Sequence, residues 1–177
     1  MLACDLETTG LLKPDLVDAR LQPAITEIYV CKFDWDGKIT AEFESFVKPP
    51  VPIPEIVTEI TGITNEMVAN APTFIEIYDD LVDFFLGERI FFAHNCSYEI
   101  GVLSCELRKF DLDYRFPWPA NQICTVEAAM PIANKRLKLG QLYKEITGRE
   151  MPFGHRAKVD VLAMVECIVG MKKRGLL

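Results

Sequence analysis

Asp5 and Glu7 stand one residue apart in MLACDLETTG, at the exit of a short apolar run, and Thr8-Thr9-Gly10 breaks the chain directly behind them. Carboxylates spaced this way on a strand project from one face of a sheet. Like charges held side by side repel, and at a buried strand end they also lose hydration. A bound cation would offset both costs. Asp160 lies near the start of the last helical segment and heads a stripe through Met164 and Ile168, and an inward-facing acid needs a partner. Glu99 falls in the first turn of the helix after RIFFAHN, where complementing the macrodipole accounts for it when taken alone. His155 sits five residues ahead of Asp160, about 140° away around a helix. With Gly154 and Pro152 beside it, His155 is expected on the loop entering that helix, within reach of the same cleft. The only other histidine, His94, ends the strand ahead of Glu99.

These residues require a frame. LACDL reads as a first strand. The stretch AITEIYVCKFDWDGKITAEFESFV alternates apolar and polar residues around Asp36-Gly37, a hairpin signal that predicts antiparallel strands over 25–35 and 38–47. KPPVPIPE ends the sheet and leads into a short helix around 54–60, followed by a turn-rich connector with room for one more. Phe74, Ile77, Tyr78, Leu81, Phe84 and Phe85 recur at helical spacing. RIFFAHN is the next strand, with a helix from Ser97, read as its N-cap, to Phe110. NQICT reads as a fifth strand, and a helix begins near Val126. Another covers 139–147 and stops at Gly148, and the last runs over 157–174 with Val161, Met164, Val165 and Ile168 inward. The expected fold class is α/β: a five-stranded mixed sheet, three antiparallel strands and then two parallel ones, flanked by helices in one domain over 1–177.

The chain has 177 residues, half of them hydrophobic, which is enough to bury a sizeable core. No apolar run is long enough to span a bilayer and no secretory signal opens the sequence, so no membrane partner is expected. Six cysteines scattered through apolar segments without a CxxC pair read as buried thiols of a reducing, cytoplasmic setting. The net charge of −7 argues against coating nucleic acid through the overall field, but leaves room for gripping a short stretch at a metal-bearing site. Cations cluster locally at Lys135, Arg136 and Lys138, at Arg156 and Lys158, and at Lys172 to Arg174. Solvated surface and phosphate contact both fit such clusters.

DLETTG, AHNCSYEIGVL and GHRAKVDV together resemble the three motifs of the DEDDh 3′–5′ exonucleases, the DnaQ-like group of the ribonuclease H-like superfold. The connectors EITGIT and ICTVEAA…LKLGQLYKEITG are similar to the group's as well, so the resemblance covers nearly the whole chain in order. It implies a phosphodiester hydrolase that uses two divalent cations, Mg2+ or Mn2+, and releases 5′-mononucleotides from 3′ ends. By that resemblance Asp5 bridges the two ions, Glu7 and Asp160 complete the nucleophile-side ion, Glu99 supports the second, and His155 is the general base. Thr8, Ile63, His94 and Asn95 are the implied substrate contacts. The implied partners are single-stranded or frayed DNA or RNA 3′ ends and, for a proofreading role, a DNA polymerase.

The second motif departs from the family pattern, with Tyr98-Glu99 where Phe-Asp is usual. The longer Glu99 implies a shifted second metal site or weakened activity. A module that holds 3′ ends without cleaving them is therefore the alternative. The presence of Asp5, Glu7, His155 and Asp160 favours retained activity.

Overall fold

A computed structural model describes residues 1–14, 18–152 and 156–177. The chain builds β1 (Leu2–Thr8), β2 (Ile25–Phe33) and β3 (Ile39–Phe46), then α1 (Glu55–Thr61), α2 (Asn65–Val68) and α3 (Phe74–Phe85). The second half alternates: β4 (Ile90–Ala93), α4 (Cys96–Arg108), β5 (Asn121–Cys124), α5 (Thr125–Ala128), α6 (Met130–Ala133), α7 (Leu139–Thr147) and α8 (Ala157–Lys173). Strand order is β3-β2-β1-β4-β5. β1 pairs antiparallel with β2 and β2 with β3, whereas β1–β4 and β4–β5 are parallel. This is the expected mixed sheet.

Local chemistry explains where the hairpin turns. Asp34 Oδ1 accepts from the backbone N–H groups of Asp36 and Lys38, which closes the turn and ends β2 two residues earlier than the alternation suggested. Gly37 takes φ 85°, a conformation that side chains disfavour. At the other predicted boundary, α4 starts at Cys96 with Asn95 in the left-handed region as its N-cap, so Ser97 lies inside the first turn and is not the cap. The helix expected near Val126 is two short ones, separated at Ala129 ahead of Pro131.

Side-chain alternation divides the core into two layers. Leu2, Cys4 and Leu6 of β1 pack with Ile77, Leu81 and Phe85 of α3 and Val102, Leu103 and Leu107 of α4. Ala3 faces the other way, with Tyr29 and Cys31, onto Leu142 of α7 and Val161, Met164 and Ile168 of α8. Asp5 and Glu7 continue the row begun by Ala3, so they lie on the α8 side of the sheet. All six cysteines are free, five of them buried. Among the described residues no helix is long and apolar enough to cross a membrane.

Candidate active site

The carboxylates converge at the end of β1. Asp5, Glu7 and Asp160 each place an oxygen within 4.8 Å of the others. Asp160 reaches them from the first turn of α8. Glu99 arrives from the opposite layer, and the ladder explains how. β1 pairs with β4 only at Leu2 and Ala3, so beyond Ala3 that edge of β1 is open. α4 begins there, and its Glu99, 5% exposed, lies against the backbone at Leu6. Its Oε2 and the Oδ1 of Asp160 are buried with no hydrogen-bond partner among the described residues.

Four acids in one dehydrated place cannot all stay ionised unaided. Burial, then the charge of Glu99, holds Asp5 well above the usual carboxylate range. Burial and Asp160 push Glu7 up to about 8, and burial followed by Glu27 pushes Asp160 up to about 7. Glu99 is also raised, by burial and then Glu7, against the opposing bond at Leu6. Unpartnered carboxyl oxygens, mutual repulsion and an all-oxygen donor set fit a hard divalent cation of the magnesium class. Asp5, Glu7 and Asp160 are the residues placed to hold it, with Glu99 beside Asp5.

A further acid, itself buried and not singled out by the sequence reading, organises this end of the sheet. Glu27 of β2 stands opposite Glu7 in the ladder and is 2% exposed. It accepts from Arg156 Nε at 3.0 Å and Nη2 at 2.6 Å, and from the backbone N–H of Ala157 at 3.1 Å. Glu27 therefore ties the first residue of α8, and with it Asp160, to the strand pair that carries Glu7. Its place in an alternating strand gave no sign of this, because the partners lie far along the chain.

Beside the carboxylates opens a cleft of about 430 Å3. Glu7, Thr8, Asn95 and Tyr98 line its polar end, and Leu11, Val57 and Ile60 its apolar wall. Thr8 and Asn95, two of the expected substrate contacts, both line this cleft. Tyr98 adds a feature of its own. Its hydroxyl lies 2.9 Å from both the Thr8 hydroxyl and the Gly10 carbonyl, and Thr8 Oγ1 donates to the same carbonyl at 2.6 Å. The phenol thereby ties α4 to the turn behind β1. Tyr98→Phe is expected to cost about 1 kcal/mol, read as a lower denaturant midpoint at unchanged m.

Two expected substrate contacts are corrected. Ile63 is 0% exposed and packs with Ile53 and Val68 in a small separate core, so it cannot meet a base; Val57 and Ile60 of α1 form the cleft wall instead. His94 does not line the cleft, because both ring nitrogens are already bonded. Its Nε2 lies 3.1 Å from the Leu137 carbonyl, which can only accept, so Nε2 carries the hydrogen and Nδ1 takes the Thr125 hydroxyl at 2.9 Å. Burial lowers its pKa to about 4, so the ring is neutral at pH 7. His155 lies outside the described residues.

With this geometry, the comparison with known proteins is direct. A model of the exonuclease family, RNase_T, matches residues 2–168. The chain belongs to that family. The match agrees with the DnaQ-like, DEDDh resemblance of its motifs, and the sheet is the ribonuclease H-like one. Exonucleases of this family generally work with divalent metal ions. A Mycobacterium tuberculosis protein named for a bifunctional exonuclease/endonuclease role is 33% identical over 175 residues, 96% of this chain but 26% of that protein. A PolC-type DNA polymerase III of Clostridium perfringens is 30% identical over 170 residues, 93% of this chain and 10% of the polymerase. The chain therefore spans only a quarter and a tenth of these two relatives. The solved structure of Exonuclease X in complex with 5′ overhanging duplex DNA matches with a TM-score of 0.68 at 25% identity, covering 98% of this chain and 91% of the other.

Proposed function

We propose that residues 1–177 act as one exonuclease domain that removes 5′-mononucleotides from the 3′ ends of single-stranded or frayed nucleic acid. The observation that carries this reading is the meeting of Asp5, Glu7 and Asp160, with Glu99 behind Asp5, at the polar end of a cleft large enough for a nucleotide. Two Mg2+ or Mn2+ ions held by these four acids would supply Lewis-acid activation and neutralise charge on the scissile phosphate.

The chain's own groups do the remaining work. The apolar wall of Leu11, Val57 and Ile60 shields the terminal base from water, and the Thr8–Tyr98–Gly10 cluster fixes the backbone against which its sugar lies. His155, neutral at working pH, takes the proton released by the attacking water. The name of the clostridial relative extends the proposal to association with a DNA polymerase.

The test is a 5′-labelled single-stranded oligonucleotide with Mg2+ or Mn2+. A ladder of products shortened from the 3′ end, abolished by EDTA, is expected; binding without shortening under either ion would point to an end-holding module. Glu99 bears on that second reading, since it stands where the family usually has Asp. Its carboxyl lies close enough to the Leu6 backbone for that backbone to favour its charged form, which a side chain shorter by one methylene would reach less well. Glu99→Asp is therefore expected to lower turnover about tenfold by withdrawing the oxygen from its backbone anchor. A rise in turnover would mean that Glu99 is a compromised substitute.

A further inference from the structure

A strand whose last nucleotide occupies the cleft must carry its next phosphates out over a lip. With a net charge of −7, Glu7 lining the cleft and the other acids of the cluster beside it, most directions are electrostatically unfavourable. One lip differs. Asn95, at φ 71°, lines the cleft and also a neighbouring depression of about 340 Å3 shared with His94, Arg136, Leu137 and Lys138. The segment between α6 and α7 forms its far side: Asn134, at φ 51°, ends α6, and Lys138 caps α7. Lys135, Arg136 and Lys138 all lie on this short segment.

Two bonds fasten it to the end of β4. His94 donates to the Leu137 carbonyl at 3.1 Å, between the two cations of the depression, and Arg136 Nη2 donates to Asn95 Oδ1 at 3.2 Å. The His-Asn pair of the second motif is thus an anchor for a basic loop. Many cations elsewhere are engaged: Arg20 with Asp18, Arg149 with Glu166, Lys144 with Glu150, Lys158 with Glu42 and Glu44. Among the described residues Lys135, Arg136 and Lys138 have no carboxylate partner. On the opposite lip, past Gly10 and Leu11, the depression holds Arg20, already committed to Asp18 through two nitrogens, and a single lysine, Lys13, without a carboxylate partner among the described residues, against three such cations on the 135–138 loop.

We propose that the loop 135–138 is a binding subsite for the phosphodiester backbone upstream of the terminal nucleotide. Arg136 and Lys138 take the phosphates that follow the cleft, and Lys135 adds to the local field. Arg136 uses one of its five donors on Asn95, which leaves its fork available to a phosphate while fixing the arginine at the lip. The ligand is single-stranded nucleic acid read through its backbone, so the subsite sets chain-length preference and salt dependence without sequence preference. The inference rests on the exonuclease reading for its direction along the strand.

The test compares a decamer with a dinucleotide, which contains the scissile phosphate and none upstream, in the parent, in Arg136→Gln, and in Lys135→Gln/Lys138→Gln. The second variant leaves the Asn95 contact intact, and an unchanged melting temperature excludes a folding defect. For each variant the ratio of decamer to dinucleotide kcat/KM is expected to fall about tenfold, through KM. Equal losses on both substrates, or no loss on either, would overturn the subsite. Equilibrium binding of a fluorescent decamer to the Asp5→Asn protein separates the two readings. Each lost phosphate contact should reduce the slope of log K against log salt by about 0.7. If the parent shortens neither substrate, the exonuclease reading fails, and this slope still decides whether the loop binds a strand; an unchanged slope overturns the proposal.

Discussion

Asp5→Asn is expected to abolish nucleotide release while leaving the metal-free protein at least as stable as the parent. Asp5 lies among Glu7, Glu99, Asp160 and Glu27, all of which disfavour its charge. Without a cation, burial and these neighbours disfavour its charged form, so a neutral amide of the same shape removes little. With a cation bound it would be one of the residues holding the ion, and its loss should lower turnover by at least about a hundredfold. Thermal melting provides a readout independent of catalysis. Mn2+ at about 100 times its Kd adds about 2.7 kcal/mol to the native state, which for a chain of this size is about 5–10 °C in Tm. The parent should show that rise and Asp5→Asn should not; a rise of equal size in both would place the ion elsewhere.

The pH dependence of the metal-free protein follows with its sign. Glu7 and Asp160 have native pKa values raised to about 8 and about 7, so the native state binds more protons than the unfolded chain. Stability is then greatest below the unfolded carboxylate range, near pH 4, and is lost as pH rises through about 7 to 8. Mn2+ should flatten this decline, because the ion replaces the protons.

The second large effect is expected at Glu27. Glu27→Ala removes charge-assisted bonds to Arg156 and the bond that holds the first N–H of α8. Arg156 is 39% exposed and can turn to water, which limits the damage below that of a fully buried pair. A loss of about 2–4 kcal/mol remains, or about 5–15 °C in Tm, together with weaker Mn2+ binding as Asp160 loses its register with Glu7. Glu27→Gln keeps the acceptor for Ala157 and removes a repulsive charge from the cluster, so it should be the milder change. If both variants melt alike, the anchoring role is wrong.

The sheet was legible because its signals are local. Alternation around Asp36-Gly37, turn residues and the helical stripe of α3 each lie within a few neighbours, whereas the strand order is known only from the folded sheet. The carboxylate cluster was legible for a different reason: acids at strand and helix ends stand out against an apolar background. Glu27 and Tyr98 escaped because their roles exist only through partners brought close by folding. Glu27 reads as an ordinary polar position of a strand, and Tyr98 as an aromatic variant of a familiar motif. Ile63 and His94 were misplaced by analogy, since one completes a small core and the other spends both nitrogens on neighbouring loops. His155 falls outside the described residues, so its role stands on the resemblance alone.

The dispersal of the acids along the chain has a consequence for biogenesis. β1 receives its antiparallel neighbour from the segment next in sequence, whereas Asp160 comes from α8, about 150 residues further along the chain. A ribosome-bound chain lacking α8 carries Asp5, Glu7 and Glu99 without the residue that closes the cluster. Until α8 has been made, the domain lacks one of the three carboxylates that meet at the end of β1.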